Sequence, residues 1–294
     1  MVAGHISRVS AAPAKLNLGL HVLRKRPDGF HDIETVFVSI GWRDRLGFSP
    51  AGSFSFTCSD PALPTDEANL CVRAAVDLAR LAGVEPWGTL HLDKAIPHGA
   101  GLGGGSSDAV ATLRLLSEAW QLDLPAGALH SLAADLGSDV PFFLHDQPML
   151  ATGRGELLQP LASGGYELPY PLAVVMPPVQ VSTAEAYRLV TPSDERHIDL
   201  VETVRSNDLP RWRRELVNDF EAPIAARYPE IAIERDRLTT AGAGYAAMSG
   251  SGAAVFGVFD TESAASAAAE SARQRGLASW WGYAGDSDGS SFPR

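Results

Sequence analysis

Lysine is nearly missing from this chain of 294 residues. Of its 24 basic residues three are lysines, Lys15, Lys25 and Lys94, and the other 21 are arginines. Such a skew reflects genome composition more than chemistry, yet it gives weight to any lysine inside a motif. Long apolar runs are missing too. The best stretches, 172–176 and 253–259, are strand-sized, far below the roughly 18 apolar residues that a membrane helix needs. The first residues, MVAGHISRVSAAPAKLN, lack an apolar core of signal-peptide length. Two cysteines, Cys58 and Cys71, are too few for a disulfide framework and have no metal-ligand spacing. These absences predict a cytoplasmic protein with no membrane partner. Positive charge is also in deficit, with a formal net charge of -11. That balance speaks against binding a nucleic acid polymer, whose affinity comes largely from Lys and Arg on phosphates. It does not exclude a small phosphorylated ligand, which needs only local positive potential.

What is present is a globular pattern. The chain is 45% hydrophobic, too apolar for disorder, and its length predicts about two domains. Residues 15–23, KLNLGLHVL, alternate apolar and polar, predicting a half-buried strand. Further strands are expected at 33–40, 53–58 and 88–94, and Asn69 is placed to cap a helix carrying Leu70, Ala74, Leu78 and Leu81. A helical pattern runs from Ser107 to about Trp120, and Pro125 opens another that ends near Gly137. The Gly- and Pro-rich stretch 153–171 reads as a joint between domains. Beyond it come a strand at 172–176, helices between 183 and 241, a strand at 253–259, an Ala-rich helix at 262–275 and a last strand near Trp280. Helices flanking sheets in both halves predict an α/β or α+β architecture. The tail, GDSDGSSFPR, is expected to be disordered.

The strongest chemical signal is PHGAGLGGGSSD, running through Pro97, His98, Gly99, Ala100, Gly101, Leu102, Gly103, Gly104, Gly105, Ser106, Ser107 and Asp108. It lies between a strand pattern and a helix expected to start at Ser106 or Ser107. Glycine permits positive φ and lets backbone N–H groups approach a ligand closely. A helix N-terminus adds free N–H groups and the positive end of the dipole, so the pair forms an anion cradle. The plain alternative is a tight connecting loop whose serines are ordinary N-caps. No Lys follows the last glycines, so this is not a Walker A loop, and it departs from the dinucleotide fingerprint. Asp108 would repel a phosphate placed over it, so the phosphate belongs nearer the glycines.

Three segments converge on one resemblance: PAKLNLGL at 13–20, PHGAGLGGGSSD at 97–108 and MSGSGAAVF at 248–256. Together they resemble the three motifs of the GHMP kinase superfamily. The detail is similar to one branch of it, the 4-diphosphocytidyl-2-C-methyl-D-erythritol kinases. The further hallmarks are Asp28-Gly29-Phe30-His31, Asn69-Leu70 with Arg73-Ala74-Ala75, and Gly137-Ser138-Asp139-Val140-Pro141. The resemblance spans nearly the whole chain. It implies an α+β fold of two domains, a ribosomal-protein-S5-domain-2-like ATP-binding domain at 1–160 and a C-terminal GHMP kinase domain at 161–284, with the tail 285–294 outside both. The active site is expected in the interdomain cleft. The implied reaction moves the γ-phosphoryl group of ATP to the 2-hydroxyl of a small-molecule substrate with a cytidine diphosphate moiety, in the non-mevalonate route to isoprenoid precursors.

The resemblance also implies residue roles. Asp139 matches the catalytic base and Lys15 its electrostatic partner, with Asn17 on the same strand face as a substrate contact. Asp139 alone would read as a cap and Lys15 as a snorkelling strand lysine. Phe30 and His31 fall where the family places an aromatic ring and a histidine around cytosine, with Phe where Tyr is usual. Tyr187 would close a sandwich on the base, unless it is simple helix packing, and Thr183 is a further substrate contact. Asn69 and Lys94 match positions near the adenosine and phosphates. Gly250, Ser251 and Gly252 form the third-motif loop beside the transferring group. Mg²⁺ should accompany ATP. The sequence has no dedicated carboxylate cage, and Ser107 is a metal contact by superfamily analogy alone. The expected assembly is a monomer or weak homodimer. A homoserine or mevalonate kinase is the nearest rival, disfavoured because a small acid substrate needs no base pocket. A non-catalytic nucleotide-binding module is disfavoured by Lys15 and Asp139. A dehydrogenase is disfavoured by the absence of an acidic ribose-binding residue.

Overall fold

The computed structural model describes residues 6–195 and 198–285. The tail expected to be disordered lies outside them from residue 286 onward. The chain forms two compact units that interleave along the sequence. The first comprises 1–14, 43–96 and 103–145, and the second comprises 15–42, 97–102 and 146–294. Two long strands, β1 (Arg8–Lys25) and β2 (His31–Ser49), pair with each other and run through both units.

In the first unit the C-terminal half of β2 pairs antiparallel with β4 (Thr89–Asp93), Arg45 opposite Asp93 through Ser49 opposite Thr89. β4 in turn pairs parallel with β3 (Ser55–Cys58). The crossover is α1 (Leu70–Ala82). Asn69 caps it through Oδ1, which accepts from the Cys71 N–H, and Gly83 at φ 67° ends it. Both ends therefore follow from residue type, one from a short polar side chain and the other from a glycine's left-handed freedom. Ala74, Ala75, Leu78 and Ala79 give α1 a buried stripe. It packs on α2 (Gly104–Ala119), beside α3 (Ala128–Leu136) and a short 3-10 helix, Val140–Leu144. α3 starts after Gly127 rather than at Pro125, whose carbonyl accepts from Ala128 N.

In the second unit the N-terminal half of β2 pairs antiparallel with β5 (Met149–Thr152), and β5 with β6 (Leu157–Pro160). The stretch read as a joint thus contains a hairpin strand. A separate antiparallel sheet has the order β10 (Ser279–Gly282), β7 (Leu172–Val175), β9 (Val255–Val258), β8 (Tyr245–Met248). Among the described residues, five helices precede β8: α4 (Thr183–Leu189), α5 (Leu200–Arg205), α6 (Leu209–Glu215), α7 (Glu221–Arg227) and α8 (Pro229–Thr240). The last helix, α9 (Glu262–Gln274), is capped by Thr261 and buries Ala265, Ala268, Ala269 and Ala272. That spacing of three and four is one helix face, and its small side chains let the helix lie close over its sheet.

β1 departs from the half-buried reading. Residues 14 to 22 are all buried, so both faces of the strand are covered. Polar residues in such a strand are internal groups that must be hydrogen-bonded.

Candidate active site

In the second unit, alternation places Lys15 and Asn17 on one side of β1, and they meet there. Lys15 Nζ donates to Asn17 Oδ1 at 2.6 Å and to the Gly101 carbonyl at 3.0 Å. The ammonium also lies 5.0 Å from the centre of the Phe37 ring. Asn17 is oriented from its other end, where Nδ2 donates to Thr35 Oγ1 at 3.0 Å and Thr35 donates onward to Gly19 O at 2.6 Å. With Lys15 only 3% exposed, this is a preset cation rather than a snorkelling side chain.

The glycine turn is anchored beside that lysine. Lys15 N donates to Leu102 O at 2.8 Å, and Ala254 N donates to Ala100 O at 3.0 Å. Gly99, Gly101 and Gly103 all have positive φ, at 66°, 76° and 69°. At Gly101 a side chain is excluded by space as well, because a Cβ there would overlap the carbonyl oxygen of Ser249. Gly250 lies against the same place, its notional Cβ 3.1 Å from Gly101 O and 3.3 Å from Asn17 Oδ1. The Ser249 hydroxyl also donates to Gly101 O at 3.0 Å. Asn218 ties this loop down, its Nδ2 donating to both Met248 O and Gly250 O at 2.8 Å. Ser251 reaches Thr183, hydroxyl to hydroxyl, at 3.2 Å, and Gln180 Nε2 approaches His98 Nε2 at 3.4 Å.

In the first unit, α2 begins at Gly104, capped by Gly103 with no side-chain bond. Ser106 and Ser107 are therefore inside the first turn rather than at its cap. Gly105 stands next to them with a helical backbone, and its notional Cβ meets only Leu70, at 3.8 Å. Asp108 lies one residue deeper and is buried. It accepts from Lys94 Nζ at 3.1 Å, and Lys94 also pairs with Asp44. Burial pushes the Asp108 carboxyl up to about 8, with Lys94 opposing the rise and Asp44 adding to it. Burial also works against the Lys94 charge, but the two carboxylates outweigh it and hold its pKa above the usual lysine value. The cluster thus buries one ammonium between two carboxyl groups. Ser107 Oγ and Asp108 Oδ1 are buried without a hydrogen-bond partner among the described residues.

Asn69 spends its amide on the α1 cap and, through Nδ2, on Pro64 O at 2.9 Å. Asp139, half-buried in the first unit, precedes the 3-10 helix. Lys15 belongs to the second unit. His31 stacks on Tyr187 with ring centres 4.7 Å apart and planes 19° from parallel, and Tyr187 meets Phe220 edge-on at 4.9 Å. Phe30 is half-exposed, with the Arg154 guanidinium 4.8 Å over its ring. Burial, and then the charge of Lys25, hold the His31 pKa below the usual histidine value.

Sequence reasoning missed Asp44, Thr35, Asn218 and Ser249. Asp44 is flanked by Arg43 and Arg45, which disguises a fully buried acid as part of a charged surface strand. Asn218 precedes a helical pattern and reads as a cap.

Anchored glycines, a buried lysine at their side and a second loop locked against them define a class, and the chain belongs to the GHMP kinases. Family models for the GHMP kinases N terminal domain and the GHMP kinases C terminal match residues 69–147 and 200–277. A relative from Salinibacter ruber, a 4-diphosphocytidyl-2-C-methyl-D-erythritol kinase, is 49% identical over 90% of this chain and 95% of its own length. The corresponding kinase of Chloroherpeton thalassium is 41% identical over 92% of this chain and 95% of its own. A crystal structure of a 4-(cytidine 5'-diphospho)-2C-methyl-D-erythritol kinase superposes with a TM-score of 0.80 at 36% identity, covering 94% of this chain and 99% of that one. Within the GHMP kinases, the chain belongs to the 4-diphosphocytidyl-2-C-methyl-D-erythritol kinase family.

Proposed function

We propose that the protein transfers the γ-phosphoryl group of ATP to the 2-hydroxyl of 4-diphosphocytidyl-2-C-methyl-D-erythritol, a step on the non-mevalonate route to isoprenoid precursors. The observation that carries this is near-full-length identity of 49% to a kinase of that name, joined to a glycine turn held against a buried lysine. The protein acts in the cytoplasm on a small molecule. Among the described residues, no helix is long and apolar enough to cross a membrane.

Asp139 accepts the proton of the acceptor hydroxyl as that oxygen attacks the phosphoryl group. Lys15 offsets negative charge that grows on the transferring group, and its fixed contacts to Asn17 and Gly101 mean little reorganisation is needed at that moment. The N–H groups of the glycine turn and the start of α2 hold phosphate oxygens, which lets an acidic chain bind a polyphosphate. Phe30, His31 and Tyr187 receive the cytosine, each stacked base contributing roughly 1–3 kcal/mol. Among the described residues no cluster of three or more His, Cys, Asp or Glu forms a metal cage. Ser107, with its unpartnered buried hydroxyl, fits a contact to a Mg²⁺ that arrives with ATP and neutralises phosphate charge. The test is ADP release from Mg-ATP with cytidyl-methylerythritol, mevalonate, homoserine and galactose supplied separately. Turnover confined to one of the last three would overturn the assignment.

A further inference from the structure

Asp44 belongs to none of the motifs above, yet it is completely buried and each of its oxygens is used. Its Oδ1 accepts two consecutive backbone N–H groups, Ala95 at 2.6 Å and Ile96 at 2.8 Å. Its Oδ2 accepts from the ammonium of Lys94. One carboxylate thus grips three successive residues, 94 to 96, directly ahead of the glycine turn that begins at Pro97. The far side of the grip is just as close. A Cβ on Gly104, the first residue of α2, would stand 2.9 Å from Lys94 Nζ and 3.5 Å from Asp44 Oδ2. Gly104 has no positive φ, so it is needed here for proximity rather than for conformation. Both ends of the phosphate-binding segment within the first unit, the approach at 94–96 and the helix start at 104, therefore register on the same ion pair.

We propose that Asp44 is a positioning residue for ATP: it sets the geometry of the glycine turn through Lys94, Ala95 and Ile96 without touching the nucleotide. The proposal rests on reading the glycine turn as the ATP site. Replacement of Asp44 removes a charged acceptor from three donors at once and leaves the buried Lys94 ammonium with Asp108 as its acidic partner among the described residues. The segment then relaxes, and the phosphate-facing N–H groups lose their alignment.

The test compares wild type with Asp44→Asn, which keeps the shape and one acceptor oxygen, and Asp44→Ala, which keeps neither. Apparent KM for ATP and for the cytidyl acceptor are measured separately, and ADP binding is measured by calorimetry. Asp44→Asn is expected to raise the KM for ATP and the Kd for ADP by roughly tenfold, as loss of one charged hydrogen bond would. The acceptor KM should stay within about twofold and kcat within about threefold of wild type. Asp44→Ala, if it folds, should be worse than Asp44→Asn. Wild-type affinity for ADP in Asp44→Asn overturns the proposal. So does a uniform fall in active fraction with both KM values unchanged, which is what a merely structural residue would give. Wild type run in parallel separates the two readings. If wild type does not bind ADP, the assignment of the glycine turn fails. If it binds and Asp44→Asn binds equally, only the role of Asp44 fails.

Discussion

Phosphoryl transfer passes through a loose transition state that needs little early proton removal, so the carboxylate proposed for that role, Asp139, need not be a strong base. Position then counts as much as basicity. Asp139→Ala should lower kcat on the order of 10²–10⁴-fold, the usual worth of a placed acid–base group; a loss below about tenfold in steady-state assays would remove it from that role. His31 makes a pH prediction. Its pKa is depressed, so the folded protein favours the neutral ring, and the proton is taken up only below the ordinary histidine range, about 6.5. A neutral ring serves the base edge, so kcat/KM for the acceptor should hold at pH 7 and fall as pH drops through that lowered pKa. An His31→Gln variant should lose this inflection in the pH profile. At this scale much was legible in advance. Period-two alternation brought Lys15 and Asn17 together, as their 2.6 Å contact bears out. The partners of Lys94 were not legible, because Asp44 lies 50 residues away and no local pattern encodes a non-local ion pair.

The glycine turn separates conformational from steric demand. Gly99 and Gly101 share a left-handed backbone, but a Cβ at Gly99 meets nothing within 4 Å while one at Gly101 would overlap Ser249 O. Gly99→Ala should cost about 1–2 kcal/mol from backbone strain alone. Gly101→Ala should cost about 2–5 kcal/mol, since overpacking adds roughly 1–3. Thermal unfolding of the two variants side by side measures the difference, and equal losses would refute the steric reading. Elements with local signals were legible. Asn69 and Gly83 bracket α1 as their residue types demand, and the alanine stripe marks α9. The short strands β5, β6 and β8 were not. β1 extends to Arg8, well ahead of its alternating stretch, through residues that are mostly exposed and carry no periodic apolar signal.

At the scale of the molecule the net charge of -11 no longer conflicts with a polyphosphate ligand. Lys15 and Lys94 are buried and hydrogen-bonded, and in the proposed site backbone N–H groups supply the positive potential that phosphate needs. A nucleotide bound only by the folded chain must stabilise it. Mg-ADP at about 100 times its Kd should add about 2.7 kcal/mol and raise the melting temperature by about 4 °C. Adding EDTA should remove most of that gain if the metal is part of the bound species, and an unchanged melting curve with ADP would argue against the site. The interleaving of the two units was not legible, because strand length across a unit boundary leaves no mark in composition.

That interleaving carries a consequence for how such a protein can be cut or inherited. The chain enters the second unit at Lys15, leaves it at Arg43, returns for six residues at Pro97 and settles there after His145. No single break in the gene yields two pieces that each hold one complete unit. The six residues of the brief return are the first half of the glycine turn itself, so the segment proposed to bind phosphate is also one of the places where the polypeptide passes between units.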